Sequence, residues 1–242
     1  MQSVSIIIPN YNGAPLLDAC LQSISRHVQL PHETIVVDNG SNDDSLGLCI
    51  RSGVKLISLP DNRGFPAACN LGMRLASGDA LLLLNNDTQV TRGGIDNLMR
   101  CLYGSEDTGI VGPMSNYASG KQQMKETFTT IDETAERMNR PDSRKWRDTL
   151  RVVGLCFLFR RELMERIGEL DEQFSPGHFE DDDYCYRARQ AGYKLKIAGD
   201  AFVYHQGSAS FKREREEKVQ SLLRTNREKF IRKWNADPHD FI

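Results

Sequence analysis

Gly78-Asp79-Ala80-Leu81-Leu82-Leu83-Leu84-Asn85-Asn86-Asp87-Thr88 decides the fold. The apolar run from Ala80 to Leu84 stands between a Gly-Asp pair and a polar cluster. So short and closely bracketed a run reads as a strand buried on both faces rather than as a helix. Asn85-Asn86-Asp87 then falls at the carboxyl end of a central strand, where open α/β sheets bind their ligands. A carboxylate beside short amides suits a hard divalent cation carrying a diphosphate.

The same pattern repeats upstream. Val4 to Ile8 is an apolar run stopped by Pro9, which predicts a first strand. Asn10-Tyr11-Asn12-Gly13 reads as a turn, and Ala14 to His27 has helical spacing through Leu17, Leu21 and Ile24. Glu33 to Val37 predicts a second strand, closed by Asp38 to Ser45, a loop dense in turn and helix-cap residues. A short helix through Leu46 and Ile50, a strand from Val54 to Leu59, and a helix from Pro66 to Ala76 follow. Downstream, Thr91 to Tyr103 reads as a helix and Thr108 to Val111 as a strand closed by Gly112-Pro113. Met114 to Thr149 is poor in apolar residues, as either a solvated excursion or a lid contacting an acceptor would be. Apolar order returns at Val152 to Phe159, Glu180 to Gly192 is an acid-rich helix, and Tyr193 to Ile197 alternates as a half-exposed strand. Lys212 to Trp234 is a charged helix with Leu222, Leu223, Phe230 and Ile231 for a docking face. The alternation predicts an α/β chain: one Rossmann-like domain with a mostly parallel central sheet flanked by helices, its site along one edge.

Composition narrows the function. At 242 residues, 39% apolar and 26% charged, the chain can bury one sizeable core like an ordinary globular protein. A net charge of −2 gives no support to a nucleic-acid or anionic-membrane partner. The 6 cysteines are scattered without metal spacing, as reduced core residues of a cytoplasmic protein would be. The amino terminus lacks the basic and apolar regions of a signal peptide, and no run reaches the ~20 apolar residues that span a bilayer. The expectation is a soluble cytoplasmic protein, with peripheral attachment to the inner face of a membrane left open.

Several side chains carry chemistry. Asp38, at a strand end, can accept hydrogen bonds from a ribose or base, and Tyr11 can stack on one. The first loop is not GxGxxG, which disfavours a nicotinamide-binding domain. Among the four successive acids Glu180 to Asp183, Asp183 and Arg187 are spaced to pair on one helix face. Asp181, or else Glu180, is then left to face a cleft as a general base. His205 follows a short apolar stretch and, near a carboxylate and a diphosphate, suits a neutral imidazole metal ligand.

Taken in order, Ser5 to Asn12, Val37 to Asp43, Asn62-Arg63-Gly64-Phe65 with Asn70, Leu84 to Asp87, Phe179 to Asp183 and His205 resemble a family 2 glycosyltransferase of the glycosyltransferase-A fold. The resemblance covers about residues 3 to 210. It implies a nucleotide-sugar donor, UDP- or dTDP-linked, held by Pro9, Asn10, Tyr11, Asp38 and Asn70 with Arg63 close by. Asn85-Asn86-Asp87 occupies the place of the family's Asp-x-Asp motif, so Asp87 and His205 would hold Mn²⁺ or Mg²⁺ and Asn86 the donor sugar or ribose. Asp181 matches the catalytic base of an inverting reaction, with Glu180, Asp183 and Arg187 supporting it or the acceptor: a glycan, a lipid-linked sugar or a protein. Asn85 departs from the motif's first acid, which implies either weaker metal affinity or a metal resting on Asp87, His205 and the diphosphate. The resemblance divides the chain into a catalytic domain over 1–211, with a donor half over 1–113 and an acceptor half over 114–211, and a helical extension over 212–242. Two alternatives are a nucleotidyltransferase, which would need a basic glycine-rich first loop, and a non-catalytic sugar-nucleotide binder, which the missing acid at Asn85 would favour.

Overall fold

A computed structural model describes residues 2–207 and 216–241, so residues 212–215 of the expected terminal helix lie outside the described residues. Ala80–Leu84 forms β4, with every residue buried. The burial is two-sided, because successive side chains of a strand point to opposite faces. Leu82 and Leu84 enter one hydrophobic cluster, Leu81 and Leu83 the other. β4 pairs in parallel with β1 (Val4–Asn10), β1 with β2 (His32–Asp38), and β2 with β3 (Lys55–Ser58). The helices between them are α1 (Ala14–His27), α2 (Ser45–Ser52) and α3 (Phe65–Leu75). α1 covers the Ile6 and Ile8 face with Leu17, Leu21 and Ile24, while Cys69 and Met73 of α3 cover the Ile7 face. β1 runs on through Pro9 rather than stopping before it. Its ladder to β4 ends at Ile7, so the absent N–H of Pro9 removes no bond on that side.

Beyond β4 the sheet becomes mixed. β8 (Cys156–Arg160) lies antiparallel between β4 and β6 (Thr108–Ser115), and β6 pairs in parallel with β9 (Lys194–His205). The short strands β5 (Thr88–Val90) and β7 (Trp146–Thr149) both join β9 antiparallel. β6 passes through Gly112-Pro113, and β9 extends well past Ile197. The reason is a register shift: Pro113 pairs with Ala198, then Met114 pairs with Phe202. Asp200 in the bulge accepts the Asp142 N–H and Trp146 Nε1–H, each at 2.8 Å.

Those bonds hold parts of Met114 to Thr149 against the sheet, while much of the segment stays exposed to solvent as a solvated excursion would. α5 (Ile131–Met138) buries Ala135 and Met138 against Phe202. Asn139 accepts the Phe202 N–H at 2.7 Å and donates to Thr91 Oγ1 at 2.8 Å. The remaining helices are α4 (Gly94–Tyr103), α6 (Arg161–Ile167), α7 (Glu180–Gln190) and α8 (Glu216–Trp234). Phe230 docks α8 against Phe174 and Phe179, fully buried. All six cysteines are buried and free, as expected. No helix among the described residues is long and apolar enough to cross a membrane.

Candidate active site

A cleft of about 910 Å³ opens beyond the carboxyl ends of β1, β2 and β4. On the strand side its floor is a chain of amides. Asn86 Nδ2 donates to Asn10 Oδ1 at 2.7 Å, and Asn10 Nδ2 donates to Asp38 Oδ1 at 3.1 Å. Asp38 Oδ2 accepts the Ser41 N–H at 3.0 Å, so its carboxylate is spent on the loop behind the cleft. Gly13 lets α1 approach this chain: a Cβ there would lie 2.4 Å from Asn86 Nδ2. Asn39 ties the next two loops together, donating to Asn62 Oδ1 at 2.9 Å and accepting the Arg63 N–H at 2.9 Å.

Asp87 and His205 meet because β5 pairs with β9 in a register that sets Thr88 opposite His205. His205 Nε2 lies 3.1 Å from Asp87 Oδ1, and Nδ1 lies 2.7 Å from the Tyr117 carbonyl oxygen. A carbonyl only accepts, so Nδ1 carries a hydrogen and Nε2 is the atom turned to the carboxylate. Burial alone would lower the His205 pKa. The Asp87 hydrogen bond and charge, with the Tyr117 carbonyl, outweigh it and raise the pKa above the ordinary value. A carboxylate oxygen next to an imidazole whose far nitrogen is fixed by a carbonyl is a donor set that fits Mn²⁺ or Mg²⁺, completed by diphosphate oxygens.

The opposite wall is the first turn of α7. Asp181 Oδ2 accepts the Gly154 N–H at 2.8 Å, and Oδ1 accepts the Asp182 N–H at 2.9 Å. The acids around it are short of donors. Burial pushes the Glu180 carboxyl well above the ordinary range, Asp181 adds to the push, and Glu180 Oε2 has no hydrogen-bond partner. Burial and the Asp181 charge push Asp182 up to about 7, against the pull of Arg151. Arg151 Nε sits 2.5 Å from Asp182 Oδ1, out of line for a hydrogen bond, and its Nη1 donates to Ser119 Oγ at 2.9 Å. The chain enters α7 through two non-glycine residues in the left-handed region, His178 and Phe179, both at φ 72°. Each costs on the order of 1–3 kcal/mol, so neighbouring structure must hold them.

Pro9, Asn10, Tyr11, Asn85, Asn86, Asp87, Glu180, Asp181 and His205 all line this one cleft. Other expected site residues do not reach it. Asp38 is buried behind Asn10. Arg63 is exposed and lies 3.7 Å from Asp61. Asn70 is consumed in binding α3 to the loop after α6: it donates to the Leu170 carbonyl at 2.9 Å and to Glu172 Oε1 at 3.0 Å, and accepts the Leu170 N–H at 2.9 Å. Asp183 and Arg187 do pair, at 2.8 Å as their spacing predicts. They face away from the cleft, where Asp183 also binds Lys233 Nζ and Trp234 Nε1. Arg151, Tyr117, Asn39 and Asn62 line the cleft unforeseen as site residues, as do Leu223 and His239 from the C-terminal segment. The only sequence signal for Arg151 is a lone cation before an apolar strand; its partner is 31 residues away.

Comparison with known proteins adds a family and a fold. The family described as Glycosyl transferase family 2 matches residues 5–168. The chain is similar to the chondroitin synthase of Pasteurella multocida (strain Pm70), 25% identical over 238 residues that cover 84% of this chain and 24% of that protein. Such relatives are longer: the chain spans 24% to 37% of the length of four curated ones. Among solved structures, the mannosyltransferase PcManGT from Pyrobaculum calidifontis, in complex with GDP-Man and Mn²⁺, has a TM-score of 0.66 at 21% identity, covering 86% of this chain and 59% of that one. S. aureus TarS 1-349, in complex with UDP-GlcNAc, has a TM-score of 0.65 at 16% identity, covering 96% and 67%. The shared architecture is the glycosyltransferase-A fold.

Proposed function

This chain belongs to glycosyl transferase family 2, and we propose that it is an inverting enzyme that moves a sugar from a nucleoside-diphosphate sugar to an acceptor hydroxyl. The observation that carries the reading is the pairing of two walls in one cleft: Asp87 with His205 on one, the oriented carboxylate of Asp181 on the other. Tyr11, 45% exposed at the strand-end loop, offers a face for the base. Asn62 lines the same side; its Oδ1 accepts from Asn39 and the Gly64 N–H, which leaves its Nδ2 to donate to the ribose.

Asp181 takes the proton of the acceptor hydroxyl as that oxygen attacks the anomeric carbon from the face opposite the leaving group. The bond from the anomeric carbon to the phosphate oxygen breaks, and the nucleoside diphosphate leaves with the electron pair. The Gly154 and Asp182 N–H groups fix the carboxylate in orientation, which supports alignment with the acceptor. Asp87 and His205 would hold Mn²⁺ or Mg²⁺, which stabilises negative charge on a departing diphosphate. Residues 117–119 and 151–155, with α7 and the C-terminal segment, form the acceptor side; a glycan, a lipid-linked sugar or a protein hydroxyl is the acceptor class.

The test is thermal shift and calorimetry with UDP, dTDP, GDP and CDP, each with and without Mn²⁺. Guanine and uracil both belong in the panel, given the donors bound by PcManGT and TarS. Metal-dependent stabilisation by one nucleotide is expected. No binding by any nucleotide would overturn the donor assignment.

A further inference from the structure

α8 reaches the turn before α7 through one buried amide. Asn226 is fully buried, on a helix that otherwise exposes much of its surface. Its Nδ2 donates to three carbonyls: Phe174 at 2.8 Å, Gly177 at 2.9 Å and His178 at 3.1 Å. The amide's other end fixes its orientation, since Asn226 Oδ1 accepts from Lys229 Nζ at 3.0 Å. Lys229 in turn donates to the Gln173 carbonyl at 2.5 Å. Two residues therefore tie α8 to four carbonyls of the segment 173–178.

That segment is the lead-in to α7. It runs into His178 and Phe179, two successive residues with left-handed backbone, and Asp181 follows in the first turn of the helix. A backbone in that region persists only where surrounding structure over-determines it. From the other side, the segment is clasped by the loop before α3. The Phe65 N–H donates to the Pro176 carbonyl at 2.8 Å, and a Cβ on Gly64 would lie 2.8 Å from Pro176 Cα. Residues 173–178 are thus gripped between the loop after β3 and α8. Loss of either grip frees the turn that sets where α7 begins and points.

We infer that Asn226 is the positioning residue of the active site, holding the 174–178 turn so that Asp181 faces the acceptor. The inference rests on Asp181 being the base, and it gives the C-terminal helix a part in catalysis beyond covering the core. Asn226 touches neither substrate nor the reacting atoms; it acts through the turn.

The experiment compares Asn226→Ala with Phe230→Leu, which loosens α8 at its apolar anchor and leaves the three carbonyls paired. Asn226→Ala is expected to lower kcat for sugar transfer roughly 10- to 100-fold, the effect of misaligning a reacting group by about an ångström. The donor KM should stay within about twofold, since the donor wall does not depend on α8. Asn226→Ser keeps one donor and should recover part of the loss; it also carries the test if the alanine variant does not fold. Phe230→Leu should lower Tm with kcat near wild type. If Asn226→Ala and Phe230→Leu lose Tm alike and both keep kcat, Asn226 is only structural and the inference falls. Hydrogen exchange separates this from the underlying reading, because it needs no substrate. Faster exchange of the amides of residues 177–182 in Asn226→Ser supports the brace, and unchanged exchange overturns it. Transfer by wild type that survives Asp181→Asn would instead overturn the assignment of the base.

Discussion

Glu33 and Glu180 are the same residue at opposite ends of the sheet, and their surroundings push them in opposite directions. Burial opposes ionisation of Glu33, yet Lys55, Ser5 and Ser77 outweigh it and hold the carboxyl at about 2. Its Oε1 accepts from Ser5 Oγ at 2.6 Å and from the Ser77 N–H and Oγ, each at 2.7 Å, while Oε2 meets Lys55 Nζ at 2.5 Å. Glu180 has no such company: burial, with Asp181 and Asp182 beside it, raises its pKa well above the ordinary value. Where donors are supplied, a carboxylate ties strands together. Where they are withheld, it is strained electrostatically, and such groups cluster at sites of chemistry. The first arrangement serves stability, the second the cleft.

Asp181 is where the acidic wall is tested most severely. Asp181→Asn should reduce kcat roughly 100- to 10 000-fold and leave nucleotide binding by calorimetry intact, because Asp181 stands on the wall opposite Asp87 and His205. Turnover near wild type would mean that the acidic wall is not the chemical one.

Next comes Arg151, the cation that faces Asp182 and, through space, Asp181. Its side chain is only 16% exposed, and breaking a buried pair by removing one partner costs about 3 kcal/mol or more. Arg151→Met should therefore lose about that much stability in urea near pH 8, with Arg151→Lys losing less. The loss should shrink on acidification, since protonated Asp182 no longer needs a counter-charge. The sign follows from linkage. Asp182 is raised from the ordinary 3.8 to about 7, so between those values the folded state holds a proton the unfolded state releases. Stability from this group is fully present below about pH 4 and falls as pH rises towards 7, by at most about 1.4 kcal/mol per pH unit for one proton. An Arg151→Met loss that is flat from pH 5 to pH 8 would remove Asp182 from the account.

How much of this was legible in the residue string depends on range. β4 and the helices α1 and α3 could be read because their signals are local: an apolar run, a 3.6-residue period, a turn with glycine. The extension of β9 through Asp200 could not, because a bulge is fixed by bonds from Asp142 and Trp146 that no local pattern announces. The cleft divides the same way. Asp87, Asp181 and His205 stood out by residue type at strand and helix ends. Asn70 was misread as a donor contact because a buried amide and a binding amide look alike in sequence; only the Leu170 and Glu172 bonds tell them apart. Arg151 and Asn226 were missed for the converse reason. Their meaning lies in partners 31 and about 50 residues away, and neither sits in a motif.

Glu33, the well-supplied carboxylate, should respond more mildly. Glu33→Gln keeps an acceptor for Ser5 and Ser77 but loses the charge that meets Lys55, so it should lower stability at pH 7 by about 1 kcal/mol. Its pH signature is more telling than its size. Glu33 falls from the ordinary 4.5 to about 2 on folding, so its contribution is fully present above about pH 4.5 and is lost as pH drops towards 2. That slope is opposite in sign to the one from Asp182 and lies in a separate window. Urea midpoints measured from pH 2 to pH 8 should therefore flatten at the acid end in Glu33→Gln and at the neutral end in Arg151→Met,Asp182→Asn. If Glu33→Gln leaves the acid limb unchanged, the donors around Glu33 do not stabilise its charge, and the two carboxylates differ in burial alone.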